Sequence, residues 1–191
     1  PGDVDFMGAA GAEVMHMTPL TGQADDTVRA LEADFRQGGL GPVLTDNFMG
    51  TLMAKVVFNS VVNTLCTMFR VRMGEFAHYD GVADLARMML DEAYDACERA
   101  GIQLIQSRQE EIYSVPELSR SAFPYHYPSM AQDFAAGRPT AVDYINWYIA
   151  KLGRYHGSIC HVHGLPLLHI SEPTRPYQTS YAVFCLIKNI L

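Results

Sequence analysis

Residues Phe48 to Phe69 read FMGTLMAKVVFNSVVNTLCTMF, the most apolar stretch of the chain and the one that decides its fold. Asp46, just upstream, is a candidate N-cap, and the spacing predicts a helix from there to about Phe69. Its apolar residues lie on nearly every side, as in the central helix of a bundle rather than a surface helix with one greasy stripe. Lys55, Asn59, Ser60, Asn63 and Thr64 interrupt the run, so no stretch of 18 or more apolar residues suggests a membrane span.

Downstream, the pattern stays helical. Asp80 stands as a cap before Val82, Leu85, Met89, Ala93 and Cys97, which recur at three- and four-residue steps until Gly101 stops the helix. Further helices are expected over about Arg108 to Ser119, Met130 to Ala136, Ala141 to His156 and Pro176 to Ile190, the third capped by Thr140 and stopped by Gly157. Upstream, Val4 to Met17 suits one or two edge strands lacking partners, Ala24 to Gln37 a helix ended by Gly38 and Gly39, and Pro42 to Leu44 a short strand. The fold class expected is mostly α, with residues 1–44 the end of an α/β domain and its linker, and residues 45–191 a helical domain. The chain opens on Pro1 without a signal-peptide pattern, so a preceding segment is expected.

Composition narrows the function. A formal net charge of -7 gives no broad basic surface for nucleic acid or an anionic membrane. The four cysteines, Cys66, Cys97, Cys160 and Cys185, are widely spaced with no CxxC pair, which fits reduced thiols in a cytoplasmic protein.

The candidate chemistry lies on the apolar helix. Lys55, Asn59 and Asn63 are four residues apart and fan over only about 80° of one helix face. An ammonium and two carboxamides buried without partners would cost several kcal/mol, so the line should face a cleft or a ligand. The alternative is an ordinary solvated face with a snorkelling lysine. The flanking Leu52, Val56, Val57, Phe58, Val61 and Val62 make that face unusually narrow.

The Lys55-x3-Asn59-x3-Asn63 line is followed by His126-Tyr-Pro-Ser129-Met-Ala-Gln-Asp133 and by Gly137-Arg-Pro-Thr140-Ala-Val-Asp143-Tyr-Ile-Asn146. In that order, from about Thr21 to His156, the chain resembles the C-terminal domain of ketopantoate reductase. The resemblance implies a helical domain of the 6-phosphogluconate dehydrogenase C-terminal-like type, with residues 1–44 a remnant of an upstream Rossmann domain that binds NADPH. It implies reduction of the 2-keto acid 2-dehydropantoate to pantoate, in pantothenate and coenzyme A synthesis. Position by position, Lys55 matches the general acid, Asn59 and Asn63 the residues that hold the lysine and substrate, and Ser129 a substrate-contacting serine. Ser129 also suits a helix cap beside Pro128. Asp133, Asp143 and Asn146 fit the pattern equally well as polar links between helices. A homodimer is the partner the resemblance implies.

Two features depart from the pattern. Ala141 stands where the resemblance calls for a substrate-contacting glutamate, which leaves open another 2-keto acid or a noncatalytic helical dimerisation module. Gly8-Ala-Ala-Gly11 is no dinucleotide fingerprint, so no cofactor site is expected in this chain. The segment Ser158 to His169, with Cys160, His161, His163 and His169, lacks the acidic residue or cysteine pair of a tetrahedral metal site and reads as a divergent loop.

Overall fold

A computed structural model of the chain describes residues 13–19, 23–76, 78, 80–121 and 124–170. The chain divides into two compact units, Pro1–Leu52 and Met53–Leu191. In the first unit, β1 (Glu13–Met17) and β2 (Gly41–Leu44) pair in parallel across helix α1 (Asp26–Gln37). The strand expected to lack a partner therefore has one, because the α1 crossover returns β2 alongside it. The carboxylate of Asp25 accepts the Val28 amide at 2.9 Å and caps α1. Gly39, at φ +84°, takes the left-handed turn after its last residues. The expected strand over residues 4–12 lies outside the described residues.

The long helix is α2 (Phe48–Phe69). Its cap is Asn47 rather than Asp46: Asn47 Oδ1 accepts from the Gly50 amide at 3.0 Å, while Asp46 is exposed. The second unit continues with α3 (Met73–Phe76), α4 (Asp80–Arg99), α5 (Arg108–Ser121), α6 (Ser129–Ala135), α7 (Val142–Tyr155) and α8 (His161–Ile170). Its core joins Val57, Val61, Val62 and Leu65 of α2 to Leu90 and Ala93 of α4, Val115 of α5 and Ile149 of α7. By length and composition α2 could cross a membrane, yet 56% of its most apolar window is buried within the protein. Each fully buried Val or Leu adds roughly 1.5–3 kcal/mol, which is why the greasiest helix takes the centre.

Two helix ends differ from expectation. Thr140 does not cap α7; Ala141 holds the cap position and offers no side-chain bond. Ser158 to His169 is no loop, since α8 begins at His161 and runs through Pro166. The helix expected over residues 176–190 lies outside the described residues. Gly101 and Gly157, at φ +71° and +79°, end α4 and α7 as their positions predict.

Helix α5 carries an anomaly. Glu111 is only 5% exposed, and among the described residues its carboxylate has no hydrogen-bond or ion-pair partner. Arg108, one turn earlier, is engaged instead by Asp91, Asp95 and Glu98 of α4. Burial pushes the Glu111 carboxyl above the usual range. A raised folded-state value makes its contribution to stability complete below the unfolded value, and that contribution is lost as pH rises through the folded one. Glu111→Gln should therefore stabilise the protein by about 1–3 kcal/mol at pH 8 and by nothing measurable near pH 4. Melting curves of both proteins at the two pH values check this, and an equal gain at both would contradict it.

Candidate active site

The helix repeat brings Lys55, Asn59 and Asn63 to one face of α2, but the face is not uniformly open. Lys55 is exposed, Asn59 is half-buried and Asn63 is 8% exposed, because α2 sinks into the bundle along its length. Among the described residues neither the ammonium nor the two carboxamides have a hydrogen-bond partner. Thr67 Oγ1 donates to the main-chain carbonyl of Asn63 at 2.6 Å and leaves its side chain unmatched. An unsatisfied buried carboxamide costs about 1–3 kcal/mol, which a polar ligand would offset. The solvated-face reading thus suits Lys55 alone and fails at Asn63.

Ser129 comes from another element. It is the exposed first residue of α6, preceded by Pro128, and makes no side-chain cap bond to that helix. No hydrogen bond joins it to the α2 line among the described residues. Its helix is nonetheless tied to the far end of α2. Met130 Sδ lies 4.0 Å from Thr64 Oγ1, next in sequence after Asn63. Arg70, which ends α2 at φ 55°, sets its guanidinium 6.0 Å from the Phe134 ring centre, and Arg72 lies 5.4 Å from that of Tyr127. Such cation–π contacts add about 0.5–1 kcal/mol each at exposed sites.

The lead-in to Ser129 is held from α3. The Met73 and Gly74 amides donate to the carbonyls of His126 and Pro124 at 3.0 and 3.1 Å. A Cβ on Gly74 would meet the Pro124 carbonyl oxygen at 2.7 Å, a backbone atom with no rotamer to escape into. Gly74→Ala should accordingly cost about 1–3 kcal/mol by overpacking. Denaturant unfolding would show that loss, and a variant as stable as the parent would contradict the packing described.

The remaining polar residues separate. Asn146 is fully buried and links α7 to α2, its Nδ2 donating to the Ser60 carbonyl at 3.0 Å and its Oδ1 accepting from Thr64 Oγ1 at 2.9 Å. Asp133 links no helices; it pairs with Arg138 in the turn after α6, at 2.7 Å. Asp143 is exposed in the first turn of α7, where a carboxylate favours the helix dipole. Ala141 packs with Phe134, Met68 and Ile145 against a small cluster of Met130, Val142 and Ile170.

A second polar line went unread in the sequence. Ser60 and Thr64 lie four residues apart, about 100° round α2 from Asn59 and Asn63, and are fully buried, while the buried Thr67 continues the asparagine line about 40° beyond Asn63. Their partners were not legible: Ser60 Oγ meets His163 Nε2 at 3.2 Å, across a separation of 103 residues. His163 is fully buried, and its Nδ1–H donates to Glu92 Oε2 at 3.0 Å. Ser60 Oγ also donates to the Val57 carbonyl at 2.7 Å, so its one proton is shared between that carbonyl and the ring nitrogen. Burial also holds the thiols of Cys66, Cys97 and Cys160 high, at about 12, 11 and 11, so all three are poor nucleophiles.

Comparison with known proteins agrees with this architecture. A family model described as ketopantoate reductase PanE/ApbA C terminal matches residues 47–167. The 2-dehydropantoate 2-reductase of Pyrococcus horikoshii is 27% identical over 154 residues, 81% of this chain and 49% of that protein. That of Salmonella typhimurium is 31% identical over 126 residues, 65% of this chain and 40% of that protein. The chain spans about half the length of the curated relatives it matches. Among solved structures, D-mandelate dehydrogenase with NADH and anilino(oxo)acetate aligns with a TM-score of 0.72 at 23% identity, covering 83% of this chain and 51% of that one. A PanE/ApbA family ketopantoate reductase from Ralstonia eutropha aligns at 0.70 and 21%, covering 86% and 54%. With the family match extending over more than half of its length, the chain belongs to the ketopantoate reductase family, of which it carries the helical C-terminal domain.

Proposed function

We propose that this chain is the substrate side of an NADPH-dependent reductase that converts a 2-keto acid, 2-dehydropantoate in the first instance, to its 2-hydroxy acid in pantothenate and coenzyme A synthesis. The observation that carries the reading is the graded Lys55–Asn59–Asn63 line, with an exposed cation at one end and a buried, unmatched carboxamide at the other. Hydride arriving at C2 of a keto acid leaves negative charge on the keto oxygen. Lys55 Nζ donates a hydrogen bond to that oxygen, stabilises the growing charge and delivers the proton that completes the hydroxyl. Asn59 and Asn63 donate and accept at the substrate's polar groups without adding charge, and the Ser129 hydroxyl bonds its carboxylate.

The sequence carries no Gly-x-Gly-x-x-Gly turn of the kind that cradles a pyrophosphate. NADPH, which supplies the hydride, is assigned to an upstream domain, with residues 1–44 as its end and 45–191 as the helical domain. The assembled enzyme is cytoplasmic, and a homodimer is its expected state; a ketopantoate reductase of Staphylococcus aureus in the same fold is dimeric.

Ala141 favours a second reading within the same chemistry. Its methyl group sits among apolar residues and accepts no hydrogen bond from a substrate hydroxyl, so a keto acid with an apolar side chain would suit this wall better than a hydroxylated one. NADPH oxidation by the longest product of the gene, offered 2-dehydropantoate and a panel of aliphatic and aromatic 2-keto acids, separates the two. Turnover of 2-dehydropantoate supports the first, preference for an apolar acid the second, and inertness toward every acid leaves a noncatalytic helical module.

A further inference from the structure

The histidine-rich segment has no part in the reduction as proposed, yet it ends at the helix that carries the acid. Glu92 of α4 accepts from the amides of Val162 and His163 at 2.8 and 2.9 Å and from His163 Nδ1–H at 3.0 Å, so one carboxylate caps α8 and fixes the imidazole. The other ring nitrogen lies 3.2 Å from the hydroxyl of Ser60, the residue after Asn59. Asn146 of α7 grips the same turn of α2 through the Ser60 carbonyl and the Thr64 hydroxyl. Ser60, Thr64, Asn146 and His163 are each fully buried.

Helix α2 needs directional bonds of this kind. A helix apolar on nearly every side presents similar surfaces at many angles, and apolar packing alone sets its roll weakly. Bonds to Ser60 and Thr64 select one roll, and the same backbone then fixes where Asn59 and Asn63 point, about 100° away. A roll of about 20° would swing a group about 5–6 Å from the axis through about 2 Å. Misplacement by about 1 Å at a reacting centre can cost about 100-fold in rate.

We propose that Ser60 and His163 are positioning residues: the Glu92–His163–Ser60 chain sets the roll of α2 and so aims Lys55, Asn59 and Asn63 at the substrate. The proposal rests on the reductase reading above. Its test is kcat and KM of the full gene product for its keto acid, in the parent and in Ser60→Ala, His163→Ala, His163→Gln and Lys55→Ala, each well below its melting temperature. Ser60→Ala and His163→Ala should lower kcat by tenfold or more, and His163→Gln, which keeps a donor and an acceptor, should recover most of it. Folded variants with the parent's kcat, beside an inactive Lys55→Ala, overturn the positioning role and leave the reductase reading standing. A Lys55→Ala that keeps its rate sinks the reductase reading instead. The side-chain amide resonances of Asn59 and Asn63 report the roll independently of turnover: displacement in Ser60→Ala is expected, and unmoved resonances overturn the proposal.

Discussion

Lys55→Ala is expected to lower kcat of the full gene product by roughly 10³- to 10⁴-fold while leaving its melting temperature nearly unchanged. The size follows from the two services lost together. Proton transfer by a placed acid contributes about 10²–10⁴-fold, and stabilising a developing oxyanion with one donor about 10²–10³-fold; one side chain performing both loses less than their product. The split between rate and stability follows from exposure. Lys55 is exposed and has no partner among the described residues, so its truncation breaks no buried contact and should shift stability by no more than about 0.5 kcal/mol. Lys55→Arg keeps the charge but holds its proton too tightly to release it, and an intermediate loss is expected. Steady-state kinetics beside thermal melts check both halves, and a large loss of stability would mean that Lys55 has a structural role instead.

Glu92→Ala should have the opposite signature, a large loss of stability. Its carboxylate accepts three hydrogen bonds, two from α8 amides and one from a fully buried imidazole. Removing it strands three donors, the buried imidazole N–H at about 1–3 kcal/mol and the two helix-end amides at about 1 kcal/mol each. For a protein of this length that is on the order of 10 °C in melting temperature. Glu92→Gln retains one acceptor oxygen for the amides and should lose less. A Glu92→Ala protein that melts within about 1 °C of the parent would show that the network contributes nothing to the fold.

The contrast between these two residues shows what the sequence could carry. Helix arithmetic alone put Lys55, Asn59 and Asn63 on one face, and the run around them marked α2 as the central element. Gly101 and Gly157 were readable as stops, because a left-handed residue after a helix is a local requirement met by a glycine. Longer-range facts were hidden. The α8 segment read as a divergent loop, whereas it is a helix that runs through Pro166 and whose cap, Glu92, stands 71 residues before His163. Ser60 and Thr64 looked like mere interruptions of an apolar run, since their partners are equally remote. Competition between neighbours misplaced two caps: Asn47 displaced Asp46, and Ala141 took the position expected of Thr140. The graded burial from Lys55 to Asn63 depends on the angle at which α2 enters the bundle, which no local pattern encodes.

The most direct test of the site is a crystal structure of the full gene product with NADP and a 2-keto acid it turns over. The account predicts the keto oxygen within about 2.6–3.2 Å of Lys55 Nζ, with the Asn63 carboxamide hydrogen-bonded to the ligand or to a group the ligand brings. A keto acid bound away from the α2 face, with Lys55 still in solvent and Asn63 still unmatched, would contradict it.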